Sequence, residues 1–154
     1  PEVRRSLRLG DAYSRADAWR SMALWLGQWE LRGSGHWALQ LPEGPLIGRA
    51  GLHRPEAPDW PGLEVGWALH PDHWGRGFAT EAGRRAVDYA FEALDADEVV
   101  SVILPGNVRS QQVAARLGLA WSEDRELSVL PGEPHGIWRL PRRRWRPGGP
   151  VNGG

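Results

Sequence analysis

The chain has 154 residues with 19 basic and 19 acidic side chains, so no net charge attracts it to nucleic acid or anionic lipid. It contains no Cys, which excludes disulfides and a Cys nucleophile, and its five His residues show no metal-ligand spacing, so no metal is expected. The length is typical of one domain, and the lack of an apolar run near the roughly 20 residues that cross a bilayer favours a cytoplasmic protein without a membrane partner.

The first predicted element is a helix over residues 15–31. Ser14 and Asp17 form the pattern of a capping box, in which each side chain satisfies the other residue's backbone N–H. Apolar residues at helical spacing then predict one apolar face, made of Trp19, Met22, Ala23, Leu26 and Trp29. Glycines at positions 33 and 35 end the helix.

Three strands are predicted next. Alternating apolar residues predict a hairpin of strands 37–41 and 46–52, joined by a turn of Pro, Glu and Gly. A third strand over residues 63–69 carries its large apolar side chains on one face. Because side chains alternate along a strand, Glu64 lies on the opposite face.

The second half of the chain is predicted to continue with two helices and three strands. An apolar stripe of helical period predicts a helix over residues 79–94. Asn107 is the predicted N-cap of a shorter helix that ends at Gly118. The predicted strands cover residues 99–104, 119–123 and 135–140. We expect one domain over residues 1–146 and a flexible tail over residues 147–154, with a solvated arginine cluster at 142–144.

Residues 74–80, Trp-Gly-Arg-Gly-Phe-Ala-Thr, form a glycine-rich loop between the third strand and the next helix. In such a loop, backbone N–H groups lie at the positive end of a helix dipole and are not shielded by Cβ atoms. This arrangement suits the binding of a pyrophosphate. Glycines also occur in ordinary turns, so the loop by itself is compatible with a phosphate-binding site or with a simple turn. It matches neither the Gly-Lys-Ser/Thr of a Walker loop nor the three glycines of a dinucleotide fold.

The same residues resemble the signature of the GNAT acetyltransferase superfamily, Gln/Arg-x-x-Gly-x-Gly/Ala. The first position holds Trp74 instead of Gln or Arg. A Trp at this position resembles the subgroup that includes ribosomal-protein N-terminal acetyltransferases, and residues 71–82 resemble the sequence of that subgroup throughout. Residues 64–67 and the Asn-x-x-Ser segment 107–110 extend the resemblance, which covers about residues 46–122. It implies an α+β fold with a mixed, mostly antiparallel, twisted sheet that opens between the family's fourth and fifth strands.

The family's first strand and most of its first helix have no counterpart, because residues 1–3 resemble the segment after that helix. The chain therefore looks N-terminally truncated. The missing strand would leave the sheet edge near Trp37 open to association, which is compatible with a homodimer.

The resemblance implies acetyl-CoA as the co-substrate. The implied contacts are backbone groups near Leu69, the pyrophosphate loop, and Asn107, which can cap its helix and contact pantetheine together. The loop contacts are Gly75, Arg76, Gly77, Phe78, Ala79 and Thr80. Arg76 is the basic side chain expected to reach a phosphate.

The implied reaction is direct attack of a primary amine, from a protein N-terminus or a small molecule, on acetyl-CoA in a ternary complex. Glu64 is the predicted general base, provided that burial raises its pKa; the alternative is a solvated or Arg-paired carboxylate. No Tyr follows Asn107 in its helix, so Ser110 or water is left to protonate the thiolate, unless Ser110 serves only in helix capping. A different class of function remains open: a non-catalytic acyl-CoA-binding or interaction module.

Overall fold

The protein is described here by a computed structural model that places residues 14–148. The segments 1–3 and 149–154, on which the truncation and most of the predicted tail depend, lie outside the described residues. The helices of the described range are α1 (Arg15–Arg32), α2 (Phe78–Glu92) and α3 (Val108–Arg116). Its strands are β1 (His36–Gln40), β2 (Leu46–His53), β3 (Glu64–Leu69), β4 (Glu98–Ile103), β5 (Ala120–Leu127) and β6 (Leu130–Pro141). No helix in this range is long and apolar enough to cross a membrane.

The six strands form one sheet in the order β1-β2-β3-β4-β6-β5. Every neighbouring pair is antiparallel except β3 and β4, which run parallel. This confirms the expected mixed, mostly antiparallel sheet. Since β3 and β4 run in the same direction, a long connection is needed between them, and it contains the glycine-rich loop and α2.

Helix α2 covers one face of the sheet and forms the core with it. Ala86 and Val87 on the predicted stripe, and Phe91 beside it, are completely or almost completely buried against the sheet side chains Leu52 and Val65. Each such Val, Leu or Phe stabilises the fold by roughly 1.5–3 kcal/mol. This packing holds the N-terminus of α2, and therefore the loop before it, next to the end of β3.

Helix α1 begins with the predicted capping box, and Gly33 ends it in the left-handed conformation at φ 64°. The predicted apolar face is mostly exposed among the described residues, however: Trp19 and Leu26 are 66% and 70% exposed. The helix packs through its C-terminal half, where Gln28 is buried. Helical spacing identifies side chains that share a face, but it does not show whether another element covers that face.

The C-terminal strands are longer than predicted, because four charged residues at 123–126 and prolines at 131 and 134 obscure the alternation. The predicted solvated arginine cluster is also wrong in part. Arg142 donates hydrogen bonds to the carbonyls of Phe91 (2.6 Å) and Ala96 (3.0 Å), so it ties the end of the chain to α2.

Candidate functional site

The parallel strands β3 and β4 pair at one point and then separate. Val100 donates a backbone hydrogen bond to Leu63 at 2.9 Å, and the pairing register ends at Glu64 opposite Val100. The next β4 N–H on this side, that of Val102, donates to the Glu64 carboxylate (Oε1, 3.3 Å) instead of a backbone carbonyl. The Glu64 side chain thus ends the ladder, and the two strands diverge beyond it.

The edge of β3 that faces this gap can be identified from the hydrogen bonds of its end. His70 donates to Ile47 of β2 at 2.8 Å. Because backbone groups alternate in direction along a strand, those of Leu69 and Trp67 are directed toward the β4 side. An extended ligand in the gap would meet these groups as it would meet a neighbouring strand.

The glycine-rich loop lies between the open end of β3 and α2. Gly75 and Gly77 have φ angles of 72° and 83°, values that favour glycine, and Gly77 is the N-cap of α2 without a side-chain hydrogen bond. A Cβ atom added to either glycine would meet no protein atom within 4 Å. The two glycines therefore leave the helix N-terminus open on its outer side, as a bound pyrophosphate requires.

Trp74 holds the loop against the strand end. Its indole N–H donates to the Leu69 carbonyl at 2.8 Å, and the Arg109 guanidinium of α3 lies 4.6 Å above its ring. One side chain thus connects β3, the loop and α3. Sequence reasoning noted Trp74 as a departure from the general signature that matches the ribosomal-protein subgroup, but missed its structural role. A buried indole needs a hydrogen-bond partner for its N–H, which was a signal of that role.

The other predicted loop residues differ in exposure. Arg76 is exposed and lies 4.9 Å above the Phe78 ring, at the outer surface of the loop. Ala79 packs against the core, and Thr80 is only 3% exposed. Contact of these residues with a ligand stays a prediction.

Glu64 is buried, with 7% of its surface exposed. Burial raises the pKa of its carboxyl from 4.5 to about 8, and the Val102 N–H and the Arg49 charge oppose this shift only in part. A solvated strand carboxylate is therefore excluded. The second carboxylate oxygen, Oε2, is buried and has no hydrogen-bond partner among residues 14–148.

Three polar side chains share the sheet face of Glu64, and together these four residues are termed the polar face. His53 lies directly opposite Glu64 in the β2–β3 pair, with its Nδ1 3.4 Å from Oε2. The rings of His36 and His53 meet edge to face at 5.7 Å, and Arg49 lies 2.6 Å from His36 Nδ1. Sequence reasoning missed His36, Arg49 and His53, because only the register of β1, β2 and β3 shows that they share the face of Glu64.

The electrostatics of the polar face keep both histidines neutral at pH 7. Burial, and secondarily the Arg49 charge, lowers the pKa of His36 from 6.5 to about 3 and that of His53 from 6.5 to about 4. Since Arg49 is a donor, His36 Nδ1 must accept and its proton lies on Nε2. The Trp25 ring stacks on His36 at 5.2 Å and fixes its orientation.

Asn107 and Ser110 lie at the start of α3, after the end of β4. The Asn107 Oδ1 accepts a hydrogen bond from the Ser110 backbone N–H at 3.2 Å, so the predicted N-cap is confirmed. The roles of Asn107 toward a ligand and of the Ser110 hydroxyl in proton transfer remain predictions.

The site therefore combines a gap between two parallel strands, a glycine-rich loop before a helix and a buried carboxylate at the vertex of the gap. A comparison with known protein families agrees with this arrangement. The family model described as an acetyltransferase (GNAT) domain matches residues 1–120. The chain belongs to the GNAT acetyltransferase family.

Solved structures support this assignment of the GNAT fold. An acetyltransferase from Agrobacterium tumefaciens superposes with a TM-score of 0.73 at 33% identity, covering 88% of this chain and 77% of that one. A ribosomal-protein-S5-alanine acetyltransferase from Vibrio fischeri has a TM-score of 0.69 at 20% identity, covering 90% of this chain and 78% of that one, which shows a common fold.

Curated relatives match over shorter ranges. A Bacillus subtilis protein, YdaF, named as a candidate ribosomal N-acetyltransferase, is 30% identical over 108 residues, which are 68% of this chain and 58% of that one. An Aspergillus fumigatus enzyme, FsC-acetyl coenzyme A-N(2)-transacetylase, is 40% identical over 60 residues, or 39% of this chain and 26% of its own. This GNAT chain spans less than half the length of the first three curated relatives, with matches to 46%, 33% and 41% of them.

Proposed function

We propose that this GNAT domain transfers an acetyl group from acetyl-CoA to a primary amine, by direct attack in a ternary complex. The observation that carries the proposal is the buried Glu64 at the vertex of the β3–β4 gap, at the opposite end of β3 from the glycine loop. Acetyl-CoA supplies an activated acyl group, its thioester. What the chain must provide is a place for the donor and a base for the amine.

The donor site is supported by the shape and polarity of the loop and gap. Backbone N–H groups at residues 75–80 hold the pyrophosphate at the start of α2, and Arg76 adds a positive charge at the loop surface. The pantetheine arm follows the gap and pairs with the edge of β3. Backbone N–H groups of this edge near Leu69 polarise the acyl carbonyl, Glu64 reaches the amine through water, and Asn107 contacts the arm from the start of α3.

The base is Glu64. The amine must be neutral to attack. A carboxylate with a raised pKa can accept the proton of the amine at a pH near neutrality, because the pKa of the base is then close to the working pH. Because the base acts when ionised, turnover should rise with pH up to about 8, the pKa of the buried carboxyl. Ser110, or water in its place, supplies the proton to the leaving thiolate.

The acceptor is an amine of a protein N-terminus or a small molecule. The name of the Bacillus subtilis relative describes a ribosomal N-acetyltransferase, whereas that of the Aspergillus fumigatus relative describes transfer between acetyl coenzyme A and a nitrogen, N(2). Both are compatible with the arrangement around Glu64.

The test is release of free CoA from acetyl-CoA with a panel of peptides that have free N-termini and of small amines. We expect turnover of at least one class, and a loss of about 100-fold or more in Glu64→Gln. Glu92→Gln, which changes an exposed carboxylate at the end of α2, is the matched control. Tight acetyl-CoA binding without turnover of any amine would refute the enzyme and favour a binding module.

A further inference from the structure

We propose that His53 is a proton-relay residue that carries the proton of Glu64 between the buried carboxyl and solvent. The inference rests on the proposed function for the role of Glu64 as base. It adds a second residue, on a different strand, through which that base exchanges its proton.

The contact between the two side chains follows from the strand register. His53 and Glu64 are directly opposite each other in the antiparallel β2–β3 pair, which places their Cβ atoms about 5 Å apart on one face. The His53 Nδ1 and Glu64 Oε2 atoms are 3.4 Å apart, and both are buried without a hydrogen-bond partner within residues 14–148. Each thus lies within reach of the other for proton exchange.

His53 connects the buried carboxyl with solvent. The Glu64 side chain is 9% exposed, whereas that of His53 is 23% exposed. Since Nδ1 is buried, the exposed part of the side chain lies away from it. The rings of His36 and Trp60, 5.7 Å and 5.8 Å away, hold the imidazole in this bridging position.

The surroundings of Glu64 and His53 keep both side chains neutral in the resting state. From β1 the pair is faced by His36, which is neutral, and from β2 by Arg49, whose charge opposes protonation of His53. Strand β4 contributes the Val102 N–H, which is bound to the other carboxylate oxygen. An imidazolium beside Arg49 is therefore short-lived and passes its proton on, as a relay requires.

The transfer balances in two steps. The O–H bond of protonated Glu64 breaks as an N–H bond forms at His53 Nδ1, which yields a carboxylate and an imidazolium. The imidazolium then releases its Nε2 proton to water or a buffer base. Rotation about the Cβ–Cγ bond then exposes Nδ1 to water, which removes the Nδ1 proton while Nε2 gains one, and the ring rotates back in its first tautomer. The ionised Glu64 can accept the proton of the amine.

The first experiment needs no substrate. Long-range ¹H–¹⁵N spectra of the protein report the tautomer of each histidine across pH. We expect His53 to carry its proton on Nε2 at pH 7 and to show an inflection near pH 8, where Glu64 ionises, that disappears in Glu64→Gln. A His53 proton on Nδ1 at pH 7, or no inflection near pH 8, would overturn the relay.

The second experiment measures turnover at low buffer concentration with an amine that the wild type acetylates. His53→Gln should lower kcat at least tenfold, leave KM for acetyl-CoA unchanged, and recover on addition of free imidazole, which a structural role would not allow. His70→Gln, at a side chain that is 64% exposed, is the control and should behave as wild type. A kcat that is unchanged, or that imidazole does not restore, would reject the relay. If the wild type binds acetyl-CoA but acetylates no amine, the proposed function fails, and the spectra alone decide about the Glu64–His53 exchange.

Discussion

Replacing Glu64 by Gln should make the protein more stable at alkaline pH. Gln is a neutral analogue of the protonated carboxyl, so it can accept the Val102 hydrogen bond and offer an N–H to His53 Nδ1. Wild-type Glu64, in contrast, must either keep its proton in the folded state or place a charge in the interior.

The sign and size follow from the pKa values of the folded and unfolded states. Glu64 has a pKa of about 8 when folded and 4.5 as the model value for an exposed carboxyl. Its raised pKa contributes stability that is complete below pH 4.5 and is lost as the pH rises through about 8. At about 1.4 kcal/mol per pH unit, the loss by pH 7 is about 3 kcal/mol. His36 and His53 have lowered pKa values, so they reduce the stability of the fold as the pH falls below 6.5. This contribution is common to wild type and Glu64→Gln and cancels in the difference.

The assay is urea unfolding of wild type and Glu64→Gln between pH 5 and pH 8.5, followed by the fluorescence of the ten Trp residues. The difference in the free energy of unfolding should grow with pH and level off above about 8. Glu92→Gln should run parallel to wild type. Parallel curves for Glu64→Gln would show that Glu64 is not held neutral, and the case for a buried base would fail with them.

Three further predictions test the loop, the base and the C-terminus. Gly77→Glu should raise the Kd for acetyl-CoA more than 100-fold in calorimetry by placing bulk and charge at the helix N-terminus, whereas Gly77→Ala, which meets only the strain of φ 83°, should lose about 1–2 kcal/mol of stability and still bind. Turnover of the wild type should rise with pH to a plateau above about 8. The low residual turnover of Glu64→Gln should not show this rise with pH. Arg142→Gln should destabilise the fold by about 1–3 kcal/mol in urea unfolding, because the carbonyls of Phe91 in α2 and of Ala96 after it lose a charged donor; no change would show that this contact is solvated.

The loop and the face of Glu64 could be predicted because both depend on local chemistry. Gly75 and Gly77 are needed wherever the backbone takes a positive φ before a helix, and strand alternation alone separates Glu64 from its apolar neighbours. The capping box at Ser14 and the N-cap at Asn107 were predictable for the same reason, since each bonds a group three residues away.

The electrostatic state of the site was decided only by tertiary structure. Burial of Glu64 depends on the strands packed around it, and its hydrogen bond to Val102 joins residues 38 positions apart. The position of His53 opposite Glu64 depends on the register of β2 against β3, and the Trp74 bond to Leu69 depends on how the loop folds back on the strand. The sequence alone determined which residue types were available and which faces they shared, whereas desolvation and register, which are properties of the packed sheet, determined which of them interact and at what pKa.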